Sequence, residues 1–286
     1  MVVGKDVRLN RILRKGKMVC VPMDHGISVG PIHGLETMGD IIGKVEDGGA
    51  TAVLIHKGIL KSLRETPSLG IIVHLSGSTN TSSDPNLKIL VGSVEEAIRL
   101  GADAVSVHVN IGSKEESKML HDLGITADDC DAWNIPLIAM MYPRGEKINN
   151  PLDAEVVSHV ARIGAELGAD IVKTVYTGTN ESFQRVVRSC PVPVVIAGGP
   201  RSETDRDVLQ MAYGAVQSGA MGVTFGRNVF EHDNPRALVK ALTSVVIDGL
   251  NVEEAVGVLQ NELAGERNHH SASERKFGIN CCAKGL

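Results

Sequence analysis

The chain of 286 residues is poor in aromatic side chains, with one Trp, three Tyr and four Phe. With so few stacking platforms and a formal net charge of −5, nucleic acid is excluded as the main partner, because strand binding draws on basic surface and stacked rings. No run approaches the roughly 20 apolar residues of a membrane span. The N-terminus lacks the apolar core of a secretion signal, so a cytoplasmic protein without a membrane partner is expected. Five cysteines, Cys20, Cys130, Cys190, Cys281 and Cys282, show no C-x-x-C spacing. They fit reduced thiols and indicate neither a metal site nor a disulfide framework. A G-x-G-x-x-G turn after the first apolar run is missing too, which leaves a doubly wound dinucleotide-binding sheet little support. What is present is a chain 43% hydrophobic and 22% charged, able to bury one large core in a single domain. Small molecules are its expected substrates.

One phrase recurs: Gly49-Ala50-Thr51-Ala52-Val53, Gly101-Ala102-Asp103-Ala104-Val105, Gly168-Ala169-Asp170-Ile171-Val172 and Gly219-Ala220-Met221-Gly222-Val223. Each reads as a helix stop followed by a strand start: glycine supplies the left-handed residue that ends a helix, and the β-branched residues suit a strand buried on both faces. Two of the three intervals are close to two βα units of about 26 residues each, near the per-unit share of an eightfold barrel of about 250 residues. Apolar runs bounded by Gly, Pro, Asp and Asn predict strands near 17–23, 51–56, 70–75, 103–109, 136–142, 169–174, 193–197 and 221–225. Between them lie helical patterns such as Asp153 to Leu167, capped by Asp153 and stopped by Gly168. The fold class expected is an α/β, (β/α)8 TIM barrel over residues 1–263, followed by a flexible tail at 264–286, where apolar periodicity is lost.

Function in such a barrel gathers at the C-terminal strand ends, which share one face. Lys173 stands at one such end, among Ile171, Val172 and Val175. An ammonium there loses hydration, which lowers its pKa and frees the amine to attack a carbonyl; the alternative is a lysine that merely reaches solvent. Lys57 ends its own run in the same way, so desolvation alone does not choose between them, and it could instead hold a substrate anion. The first strand ends in Asp24, His25 and Gly26, offering an acid or base, although Asp before Gly is also a common turn cap. The fifth ends Tyr142-Pro143-Arg144, and a phenol one strand from Lys173 would donate a proton at neutral pH. Gly198-Gly199 and Gly226-Arg227 follow the last two strands, where backbone N–H groups and a helix start would hold a phosphate. His74, Ser76 and His108 are assigned no role beyond lining the site.

In this order, Met23-Asp24-His25-Gly26, Lys57-Gly58-Ile59, His74-Leu75-Ser76-Gly77, Tyr142-Pro143-Arg144-Gly145, Lys173-Thr174, Gly198-Gly199-Pro200 and Gly226-Arg227-Asn228 resemble the archaeal-type class I aldolases over about residues 7–262. The resemblance implies a metal-independent Schiff base on Lys173, with no cofactor, Tyr142 as proton donor and Asp24 assisting proton transfer. It also implies that Asp24, His25, Gly26, Ile27, Ser28, Tyr142, Pro143, Arg144, Gly198, Gly199, Gly226 and Arg227 contact a phosphorylated sugar. The reaction implied is a transaldol transfer from 6-deoxy-5-ketofructose 1-phosphate to L-aspartate semialdehyde, towards aromatic amino acids. Fructose-bisphosphate cleavage, amino-sugar synthesis from dihydroxyacetone phosphate, and a non-enzymatic phosphosugar-binding barrel are the alternatives. A homo-oligomer, a pentameric ring or a decamer, is implied as well.

Overall fold

The four repeated glycines Gly49, Gly101, Gly168 and Gly219 have φ of 90°, 89°, 95° and 97°, the left-handed backbone that turns each helix into the next strand. In this computed structural model, which describes residues 3–277, eight parallel strands result: β1 (Met18–Pro22), β2 (Ala52–Ile55), β3 (Gly70–His74), β4 (Ala104–Ile111), β5 (Leu137–Pro143), β6 (Ile171–Val175), β7 (Val194–Ala197) and β8 (Gly222–Thr224). β1 pairs with both β2 and β8, so the sheet closes into a barrel with neighbours in chain order. The predicted strands agree with these to within two residues at either end, and the fold is the (β/α)8 barrel. Between β3 and β4 the chain also forms a two-residue ladder, Ser76–Gly77 against Ile89–Leu90, too short to leave a periodic signal.

Alternation along each strand separates two cores. Val19, Val53, Val105, Val172 and Ile196 face the surrounding helices, whereas Met18, Cys20, Leu54, Ile72, Ile138, Met140, Ile171 and Val195 fill the barrel interior. Each large side chain so buried contributes about 1.5–3 kcal/mol. The helix Val3–Ile12 lies across the N-terminal strand ends: Arg8 donates to the Ala102 carbonyl at 3.0 Å, and fully buried Ile12 joins the interior core. The lower end is thereby closed, leaving the C-terminal end for a site.

The helix Ala154–Glu166 starts where expected, with Asp153 accepting hydrogen bonds from the amides of Glu155 and Val156. The last helix, Val252–Phe277, continues past residue 264. Residues 278–286, with Cys281 and Cys282, lie outside the described residues. Cys20, Cys130 and Cys190 are free, buried thiols. Among the described residues no helix is long and apolar enough to cross a membrane.

Candidate active site

The inward positions of the strands are apolar low in the barrel and polar at the top. On β6, Ile171 points into the core and Lys173, two residues on, points into a cavity of about 310 Å³. The register sets Met140 of β5 and Val195 of β7 beside Lys173. The same period of two leads from Met140 to Tyr142, from Leu54 to His56 and from Ile72 to His74, and Tyr142, His56 and His74 line the cavity. Lys173 is 5% exposed. No carboxylate lies within ion-pairing reach of its ammonium among the described residues, a costly state for a buried cation unless it serves chemistry.

Among the described residues Asp24 carries the only carboxylate lining the cavity. Burial works against its charge, but His74, His25, Lys173 and His56 around it hold its pKa well below the usual carboxylate range. The His74 Nε2 stands 3.8 Å from Asp24 Oδ2, and His25 Nδ1 stands 3.7 Å from Oδ1. On its other side His74 Nδ1 shares a 2.8 Å hydrogen bond with the Ser106 hydroxyl. Burial pushes the His74 imidazole down to about 4, and burial also lowers His25, His56 and His108. At neutral pH these rings are therefore uncharged, and they bear charge only in the acid range in which Asp24 itself titrates.

The Tyr142 ring packs against His108 at 4.9 Å and carries the Arg144 guanidinium 4.7 Å above it. His108 Nε2 is fixed by Asn110 Oδ1 at 2.9 Å. Opposite, after β7 and β8, Arg227 donates from Nη2 to the Gly199 carbonyl at 3.0 Å, while its buried Nε has no partner. Gly226 precedes the short helix Arg227–Phe230, and a side chain there would meet Pro22 O at 2.7 Å and His25 Cε1 at 2.8 Å. Asn228 holds the Gly198 carbonyl at 3.0 Å. Below Lys173, burial pushes the Cys20 thiol up to about 12, so it offers no competing nucleophile. Among the described residues no three His, Cys, Asp or Glu side chains stand together as a metal site.

Of the predicted residues, Asp24, His25, Ile27, Ser28, Tyr142, Arg144, Lys173, Gly198, Gly199, Gly226 and Arg227 share this cavity. Three do not line it. Pro143 alternates outward from Tyr142 and pairs with Ile111, and Gly26 begins the turn Gly26–Val29. Lys57 does not end a strand: β2 stops at Ile55, His56 takes the inward position, and Lys57 begins the helix Lys57–Ser62 with its ammonium 2.7 Å from Glu96. Sequence reasoning missed His56, which alternation from Ala52 and Leu54 could have placed. It also missed Lys88, which no local pattern marks.

Among known proteins, residues 18–232 match the family described as DeoC/LacD family aldolase. The 2-amino-3,7-dideoxy-D-threo-hept-6-ulosonate synthase 1 of Archaeoglobus fulgidus is 43% identical over 266 residues, 92% of this chain and 99% of its own length. The 2-amino-4,5-dihydroxy-6-oxo-7-(phosphonooxy)heptanoate synthase of Streptomyces griseus is 40% identical over 247 residues, 85% of this chain and 90% of its own. Among solved structures, an archaeal fructose-1,6-bisphosphate aldolase with its catalytic Lys covalently bound to the carbinolamine intermediate of the substrate aligns with a TM-score of 0.79 and 32% identity, over 85% of this chain and 99% of that one.

Proposed function

The chain belongs to the DeoC/LacD aldolase family, and from that premise we propose that it is a 2-amino-3,7-dideoxy-D-threo-hept-6-ulosonate synthase. It would transfer a fragment of 6-deoxy-5-ketofructose 1-phosphate to L-aspartate semialdehyde on a route to aromatic amino acids. The observation that carries the reading is the buried Lys173 amine without a carboxylate partner, facing a cavity that also holds Asp24 and Tyr142. The 43% identity to the A. fulgidus synthase over nearly its whole length supports the choice of reaction.

In this reading the Lys173 Nζ adds to the donor ketone, and the carbinolamine loses water to give a protonated imine. The C–C bond beyond the imine breaks with its electron pair moving to nitrogen, so an aldehyde leaves and an enamine stays on Lys173. The enamine carbon then attacks the acceptor aldehyde, and water releases the product by hydrolysing the new imine. Asp24, held as a carboxylate, takes and returns the proton at the imine. Tyr142 exchanges a proton with the aldehyde oxygen. Gly198, Gly199, Gly226 and Arg227, with His25, Ile27 and Ser28 beside them, bind the sugar phosphate through backbone N–H groups and the guanidinium. The reading extends, on family resemblance alone, to a cytoplasmic homo-oligomer, a pentameric ring or a decamer.

The S. griseus relative, named for a heptanoate that keeps a phosphate on its last carbon, favours a second reading, in which a phosphorylated three-carbon ketone such as dihydroxyacetone phosphate is the donor. The test offers L-aspartate semialdehyde with 6-deoxy-5-ketofructose 1-phosphate, dihydroxyacetone phosphate or fructose 1,6-bisphosphate, and identifies the product by mass. The proposal expects the seven-carbon deoxy product from the first donor at the highest kcat/KM. A phosphorylated heptanoate formed faster from dihydroxyacetone phosphate would move the assignment to the second reading, and cleavage of fructose 1,6-bisphosphate alone would reject both.

A further inference from the structure

The cavity is rich in hydrogen-bond donors. Lys88, Tyr142, Arg144, Lys173 and Arg227 line it, while among the described residues Asp24 is its only carboxylate. A sugar hydroxyl donates as well as accepts, and held away from water it costs free energy unless its proton finds an acceptor. His108, to which the transfer described above gives no part, is built as such an acceptor.

On β4, Val107 and Val109 face the helices, so Ser106, His108 and Asn110 alternate inward. The register sets His108 level with Met140 and, through it, with Lys173, two strands and roughly 10 Å away along the sheet. Its ring lies 4.9 Å from that of Tyr142. Asn110 is fully buried and its amide is already committed, because Nδ2 donates at 2.7 Å to the Asn86 carbonyl on the excursion between β3 and β4 that also carries Lys88. That excursion is pinned further by Asn80 N on the Ser28 carbonyl at 2.9 Å and by Ser28 Oγ on the Ser78 carbonyl at 3.1 Å. Asn110 Oδ1 must therefore accept from His108 Nε2, 2.9 Å away, which places the ring's proton on Nε2. Burial first, then Arg144, His74 and Lys88, hold this imidazole well below its ordinary range, so no second proton binds at neutral pH. Nδ1 is left as a lone pair. Among the described residues nothing donates to it, and it is not sealed off from the cavity that the ring lines.

The proposed product carries a terminal methyl beside its ketone and no phosphate, so the imine forms at the donor ketone next to the methyl and the phosphate leaves with the aldehyde. The fragment that stays on Lys173 then has one hydroxyl, on the nucleophilic enamine carbon. Enamines from dihydroxyacetone phosphate or fructose 1,6-bisphosphate carry a hydroxyl at the same carbon. Across the reacting bond, the aldehyde oxygen belongs to Tyr142, and Asp24 is engaged at the imine. We infer that His108 accepts, through Nδ1, a hydrogen bond from the hydroxyl on the enamine carbon and so selects donors that carry it over donors with a methyl group in its place. His108 takes no proton in this role; it is a specificity residue beside the tyrosine. The inference rests on the Lys173 imine proposed above and holds whichever of the three donors is the natural one.

The test uses two pairs of ketones that differ only in this hydroxyl, hydroxyacetone with acetone and dihydroxyacetone phosphate with hydroxyacetone phosphate. Each is trapped on Lys173 with cyanoborohydride, which spares free ketones, in the wild type, His108→Gln and His108→Asn, and the concentration giving half-maximal labelling is measured. Glutamine reaches Asn110 in place of Nε2 and leaves the Nδ1 position empty, whereas the asparagine amide oxygen can stand close to where Nδ1 stood. The preference for the hydroxylated ketone should fall roughly threefold to tenfold in His108→Gln, the loss of one neutral hydrogen bond, and stay within about twofold of the wild type in His108→Asn. Differences in ketone reactivity, and any general loss of activity, cancel within each protein. An unchanged preference in His108→Gln, or a larger fall in His108→Asn, overturns the inference while leaving the imine on Lys173 standing. Absence of label on Lys173 from all four ketones rejects the aldolase reading and the inference with it. Nitrogen NMR of the histidine rings needs no variant: His108 should show the Nε2–H tautomer, with its Nδ1 resonance moved by dihydroxyacetone phosphate and not by hydroxyacetone phosphate. A proton on Nδ1, or equal shifts with both ketones, overturns the inference.

Discussion

Two buried lysines stand at opposite ends of the barrel and differ in their partners. Lys5, at the N-terminal end, places its Nζ 2.6 Å from Asp131 and 2.9 Å from Asp170. Burial works against its charge, yet the bonds to those carboxylates raise its pKa, and Asp170 in turn accepts from the Leu137 amide at 2.8 Å. Lys173, equally buried at the other end, has among the described residues no carboxylate within ion-pairing reach and a cavity in front of it. Burial alone therefore does not mark a chemical lysine; burial without a partner does. Lys57 completes the comparison, since Glu96 holds its ammonium and it lines no part of the cavity that Lys173 faces.

The largest effect expected from this difference is loss of turnover in Lys173→Met, by roughly 10⁴-fold or more, because the linear side chain fills the same space without a nucleophile. Its melting temperature should equal or exceed that of the wild type, since the desolvated amine makes no ion pair at contact distance and its longer-range attraction to Asp24 is the smaller effect. Lys5→Met should do the reverse, keeping activity and losing about 1–3 kcal/mol of stability as Asp170 is left unpaired. Urea titration and initial rates on both proteins measure the contrast, and it breaks if the two variants change the same property.

A smaller effect separates chemistry from binding at the top of the barrel. Tyr142→Phe keeps the ring against His108 and removes only the hydroxyl, so turnover should fall roughly 10²–10⁴-fold while imine formation on Lys173 persists. Near-normal kcat in this variant would remove Tyr142 from the mechanism and leave Asp24 as the proton carrier.

The smallest effect concerns pH. The native pKa of His74, about 4, lies below the ~6.5 of an unfolded histidine, so between those values the unfolded chain binds more protons. Stability contributed by the neutral ring is complete above about 6.5 and is lost as pH falls towards 4, at about 1.4 kcal/mol per pH unit for one such group. His25, His56 and His108 are lowered in the same sense and share this acid limb. His74→Asn should remove about one proton from the slope between pH 4 and 6.5, read from unfolding free energies across that window. An unaltered slope would show that His74 is not held neutral.

The fold was legible because glycine stops and β-branched runs are local signals, and each barrel strand carries its own. That Lys173, Tyr142 and Asp24 share one cavity was legible too, since strand ends in a parallel barrel converge and chemistry-bearing residues stand out there. Lys57 misled because the run that precedes it reads one residue too long: β2 ends at Ile55, and with His56 turned inward the lysine faces the helix Val94–Arg99 and its Glu96. Lys88 was invisible for another reason. It reaches the cavity through an excursion whose course depends on Asn110, Ser28 and backbone carbonyls distant in sequence. The shell of histidines around Asp24 is likewise a product of closure, which brings β1, β2 and β3 together and changes the protonation of every ring in it.

The comparison of the lysines is tested most directly by borohydride reduction in the presence of 6-deoxy-5-ketofructose 1-phosphate, followed by peptide mapping of the wild-type protein. The account predicts one reduced adduct, on Lys173, with Lys5 and Lys57 unmodified. An adduct on Lys57, or turnover without any adduct on Lys173, would contradict it.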